Sequence, residues 1–158
     1  MKLKIQMIPE TAYGQNARSV LSPTKWRQLS RLVRNNSGCV CEICGNPVEK
    51  ISDMDAHEVW KYITVKKKNG KKVHIQRLIK IQAVCKNCHK VIHIGRTSYS
   101  NHYDEAVEWF LQVNQCGYSK FRKAEKKAYH KFFKRSKYKW KLDINKPYLE
   151  ELLQENID

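Results

Sequence analysis

Cys41-Glu42-Ile43-Cys44, then Asp55-Ala56-His57-Glu58, then Cys85-Lys86-Asn87-Cys88-His89-Lys90-Val91-Ile92-His93 decide how this chain is read. The two CxxC pairs, Cys41/Cys44 and Cys85/Cys88, supply the four thiolates of a tetrahedral structural zinc site. Residues 45 to 84 lie between them, so zinc would pin the two ends of a long insertion. Loop-closure entropy grows slowly with length and does not oppose this. A variant set of three Cys plus His89 also satisfies zinc. Histidines are then left over. His89 and His93 are four apart, which on a helix puts both imidazoles on one face, one turn apart, able to share a cation.

The segment between the pairs reads as a hairpin. Met54 to Val65 is rich in β-branched and aromatic residues, and Val73 to Val84 supplies the returning strand, with Val73, Ile75, Ile79, Ile81 and Ala83 on one face. Asn69-Gly70 is the turn signal. Lys66, Lys67, Lys68, Lys71 and Lys72 surround it, and such a cluster either protects a strand edge or contacts a nucleic-acid backbone. His57 falls on the first strand.

Outward from this block the pattern becomes helical. Ser22-Pro23 reads as an N-cap followed by Pro at the first helical position, and Trp26, Leu29, Leu32 and Val33 carry a helix to Arg34. Arg31 and Arg34 are candidates for phosphate contact on it. Before it, residues 1 to 21 read as an extended arm with a short strand at Leu3 to Met7. After the second CxxC, a short helix is expected to end at Gly95 as its C′ residue. Further helices are expected from Asp104 to Val113, capped near Ser100 or Asn101, and from a Ser119 cap to Lys134. The aromatics of these helices are read as core. Trp140, Leu142 and Ile144 dock the tail, and Tyr148 to Gln154 forms a last helix. No repeat or linker divides the chain, so one domain is expected over 1–158: an arm and helix (1–38), a central core (39–97) and a helical extension (98–158).

Composition bounds the partners. The 158 residues carry 31 Lys+Arg against 15 Asp+Glu, a formal charge of +16, with 41% hydrophobic and 29% charged residues. This fits a globular chain whose partner is a polyanion, with nucleic acid first. An anionic membrane surface is the competitor, but neither a lipidation motif nor an amphipathic segment with a broad apolar face supports it. No apolar run follows Met1-Lys2-Leu3-Lys4-Ile5-Gln6, so no signal peptide is expected. A reducing cytoplasm, bacterial or in a phage-infected cell, is the expected compartment, where paired Cys bind metal.

The order CxxC, His on a strand, CxxC-His-x3-His resembles the zinc-stabilised branch of the HNH endonucleases. The resemblance covers Cys41 to Gly95. It implies an α+β fold containing a ββα-metal finger, two strands then a helix, with a catalytic cation between them. By position, His89 is similar to the metal-binding His that closes the motif, and His93 to an additional metal ligand. His57 stands as general base or as metal ligand. In the first case Asp55 reaches the cation, because Ala56 holds the usual ligand position; in the second, Glu58 falls at the base position. Lys80 stands where the family has its middle Asn. The resemblance implies hydrolysis of phosphodiester bonds in DNA, double-stranded first, with structural Zn2+ and a catalytic divalent cation, Mg2+ first. The alternative is a zinc-stabilised nucleic-acid-binding protein without catalysis. A RING-like interaction domain has other ligand spacing and leaves the charge unexplained.

Overall fold

Met54 to Lys66 (β1) and Lys72 to Cys85 (β2) pair antiparallel along their whole length, from Met54 opposite Cys85 to Lys66 opposite Lys72. A computed structural model describes residues 2–144 and 148–150. The turn is a five-residue loop, with Gly70 at φ +80° and the Lys67 amide donating to the Lys71 carbonyl at 2.8 Å. Asn69 shapes it through its side chain, which accepts from the Lys71 amide at 3.1 Å. A two-residue type I′ turn would need both central residues left-handed, and Asn69 is not.

The register slips once, between Val59 opposite Lys80 and Trp60 opposite Leu78. Ile79 is the unpaired extra residue. A bulge reverses the alternation beyond it, so Ile79 is 48% exposed while Gln76 and Leu78 are buried. The single alternating face expected from Val73 to Ala83 is therefore broken at Ile79. Lys141 to Asp143 (β3) adds a short parallel strand beside β2, giving the order β1-β2-β3. Its residues carry no strong strand pattern; Trp140, buried against the Tyr62 ring, brings them there.

The helices fall close to expectation. Ser22 caps α1 (Pro23–Asn36) by accepting from the Lys25 amide. Then come α2 (Lys86–Ile92) and α3 (Ile94–Thr97), followed by α4 (Tyr103–Asn114) and α5 (Tyr118–Arg135). Gly95 does not end a helix. It lies within α3, where the Met7 methyl sits 2.8 Å from the place a Cβ would take. The caps also differ: α4 begins after His102 and α5 after Gly117, neither with a side-chain cap bond, and Ser119 lies inside the first turn of α5. Phe133 is 62% exposed and so lies outside the core.

Two apolar clusters flank the hairpin. One joins Met54, Ala83 and Val84 to α2, α4 and Phe121 of α5; the other joins Trp26 and Leu29 of α1 to Leu78 and Ile81. The arm is not a strand. It is tied by the Asn114 amide, which bonds both backbone groups of Leu3, and by Gln6 donating to the Ile92 carbonyl. Ile144, Tyr148 and Leu149 pack on the second cluster. The expected helix from Tyr148 is helical over 148–150, and the rest of it lies outside the described residues.

Candidate metal centres

Cys41 to Gly45 forms a knuckle turn. Gly45 takes φ +78° and its amide donates to the Cys41 carbonyl at 2.8 Å. Cys85 ends β2 and caps α2, its sulfur accepting from the Cys88 amide at 3.4 Å. The Sγ atoms of Cys41, Cys44, Cys85 and Cys88 all lie within 4.8 Å of one another, a group that could hold a metal ion such as zinc. Hydrogen bonds from Cys85 and Cys88 hold Cys41 far below the usual thiol range, and the same bond to Cys41 pushes Cys85 up to about 12. A bound cation would favour thiolate at all four.

Two supporting side chains are not apparent from the CxxC pattern. The Trp109 indole N–H donates to Cys88 Sγ at 3.3 Å. Glu42, inside the first CxxC, accepts from the Ala83 amide at 2.7 Å with one oxygen and from Lys80 Nζ at 2.9 Å with the other. Lys80 therefore belongs to the knuckle's support.

His57, His89 and His93 form the second group, their ligating nitrogens also within 4.8 Å of one another. The ring centroids stand 5.4 Å (57–89), 5.2 Å (57–93) and 4.8 Å (89–93) apart, all edge-on. His93 lies just past the end of α2, but its amide still donates to the His89 carbonyl at 3.1 Å, so the one-turn spacing is kept. His57 is 5% exposed. Its Nε2 is buried with no hydrogen-bond partner. Burial, then the neighbouring imidazoles, lower His57 to about 3; burial lowers His93 to about 4. Both rings are neutral at physiological pH, the form that ligates metal. An orphaned buried nitrogen beside two other imidazoles is the donor set of a borderline cation such as Zn2+, Co2+ or Ni2+. Mg2+, which takes oxygen ligands, suits it poorly.

The two carboxylates go elsewhere. Asp55 Oδ2 accepts from His89 Nδ1 at 2.8 Å, and that bond holds its carboxyl below the usual range. It stands behind a histidine and is not one of the three converging donors. Glu58 follows His57 directly, and successive strand side chains point to opposite faces. Its carboxylate accepts from the Ala17 amide at 2.8 Å, and burial raises its pKa.

Lys66, Lys67, Lys68, Lys71 and Lys72 are exposed at the hairpin tip, as expected, and Arg31 is exposed on α1 with Arg34 half-buried. From His57 to the tip runs about 30 Å of strand, so the lysines and the histidines do not form one site. Among the described residues no helix is long and apolar enough to cross a membrane. Scans of protein families, curated proteins and solved structures each return no match to this chain.

Proposed function

We propose that the chain is a metal-dependent endonuclease of the HNH type that hydrolyses phosphodiester bonds in DNA. The observation that carries this reading is the convergence of His57, His89 and His93, with His57 Nε2 buried and unpartnered. His57, His89 and His93 hold the catalytic cation, and Asp55 fixes His89 through Nδ1 so that Nε2 is the free donor. What supports a ligand role for His57 over a base role is its depth and its pKa of about 3. A general base works best near the operating pH and in reach of water. A bound divalent cation supplies Lewis-acid stabilisation of a phosphoryl oxygen and lowers the pKa of water. Cys41, Cys44, Cys85 and Cys88 hold a structural zinc that fixes α2, and with it His89, against the hairpin. The hairpin lysines with Arg31 and Arg34 bind phosphates electrostatically.

The test is nicking of supercoiled plasmid with added Mn2+, Co2+, Zn2+ or Mg2+. Cleavage in the parent and its loss in His57→Ala and His89→Ala, with the zinc of the four cysteines retained, is the expected result. DNA binding without cleavage under every cation would replace this reading with the second one, a zinc-stabilised DNA-binding protein. One observation favours that second reading: among the described residues no carboxylate joins the three converging nitrogens, Asp55 being engaged by His89 and Glu58 by Ala17.

A further inference from the structure

The three histidines open into a cleft of about 980 Å³ whose wall is built largely from elements outside the two knuckles and the hairpin. The arm supplies Lys4, the segment before α1 supplies Arg18, α3 supplies Arg96, and the far end of α5 supplies Lys131 and Arg135. Among the described residues Glu58 is the one acidic residue lining it, and the Ala17 amide already occupies that carboxylate. Two of the cations are held in place by rings: the Arg18 guanidinium lies 5.0 Å from the Trp26 ring centroid, and Arg135 lies 4.5 Å from that of Tyr62. The hairpin lysines, about 30 Å of strand away, cannot serve phosphates at the histidines. These five can.

Charge alone would suit any DNA backbone. The aromatic side chains in the same wall narrow the choice. Tyr13 is 63% exposed, Tyr99 93% and Phe133 62%, and all three line the cleft. Large rings left in water along a cationic groove are platforms on which unstacked bases can lie. A duplex has its base faces already stacked and offers only base edges, sugar and phosphate to such rings. We propose that this cleft takes a single-stranded stretch of DNA, its bases stacking on Tyr13, Tyr99 and Phe133 and its phosphates held by Lys4, Arg18, Arg96, Lys131 and Arg135. The strand is thereby led to the histidine site, so the substrate of the proposed nuclease is an unpaired or splayed segment. This substrate class rests on the nuclease reading, but the binding itself does not need cleavage.

Fluorescence anisotropy of a labelled oligothymidylate of about 16 nucleotides, beside a duplex of equal length, tests it without added divalent cation. The side chains of Tyr13, Tyr99 and Phe133 are largely exposed, so Tyr13→Ala, Tyr99→Ala and Phe133→Ala are compatible with folding, which an unchanged melting curve confirms. Each is expected to weaken oligothymidylate binding by about tenfold and duplex binding by less than about twofold. Lys67→Ala in the hairpin is the electrostatic control, expected to weaken both alike. Unchanged oligothymidylate affinity in all three aromatic variants overturns the proposal, and so does an equal loss for duplex. Aromatic-dependent binding with no cleavage by the parent would keep the cleft and remove the nuclease. Cleavage of duplex, unaffected by the three substitutions, would keep the nuclease and remove the cleft.

Discussion

Asp55 Oδ2 stands 2.8 Å from Nδ1 of His89, joining the first residue after Met54 on β1 to the first turn beyond the second CxxC on α2. A carboxylate behind a metal-ligating histidine sets its tautomer and raises its basicity. Asp55→Asn is expected to lower affinity for the catalytic cation by about 10- to 100-fold. The zinc of the four cysteines should stay. Calorimetric titration with Co2+ or Mn2+, alongside zinc content, checks both halves.

Removal of His89 should be more severe than removal of Asp55. His89→Ala takes one of three nitrogens away and is expected to reduce cleavage to background. Its melting temperature should remain near the parent's, because the four sulfurs are untouched. A large fall in melting temperature would mean the histidine site is structural.

Cys85→Ser attacks the other centre. Structural zinc sites contribute on the order of 10 kcal/mol to folding in small domains. The variant is expected to lose zinc and the cooperative melting of the finger together. Chelation of the parent should reproduce this. Retention of both zinc and melting temperature would show that the four-cysteine assignment is wrong.

Trp109→Phe removes a single hydrogen bond, the indole N–H to Cys88 Sγ, while keeping an aromatic ring on α4. The expected effect is a zinc affinity reduced by about tenfold with a small change in stability. Competition with a chromogenic chelator measures it.

Acid should weaken the metal-free protein in a defined window. His57 and His93 are lowered in the fold to about 3 and about 4, against an ordinary value of 6.5. Between those values the unfolded chain binds protons that the folded chain does not, so unfolding becomes easier as pH falls. The penalty is absent well above pH 6.5, grows below it and levels off near pH 3, where both states are protonated. His57→Phe with His93→Leu is expected to flatten the pH dependence of denaturant midpoints over this range.

Much of the central block was legible because its signals are local. CxxC spacing, the one-turn His89/His93 spacing and the β-branched runs each act within a few residues. The bulge at Ile79 was not, because it is set by which residues of β1 and β2 meet across the sheet. Nor was the separation of Asp55 from Glu58, although strand alternation already places them on opposite faces; what each carboxylate meets there, His89 or the Ala17 amide, is decided by packing. Gly95 read as a helix end, whereas the constraint on it comes from Met7, remote in sequence. The parallel pairing of β3 likewise has no short-range cue.

The two halves of the cysteine group are separated by residues 45 to 84, most of which make the hairpin, and Met54 pairs with Cys85 only when that hairpin has closed. During synthesis, then, Cys41 and Cys44 wait as a two-sulfur half-site until β2 and the start of α2 have left the ribosome. The register that sets Met54 opposite Cys85 also brings the two half-sites together, so a cation held by all four sulfurs would favour that register over a slipped one.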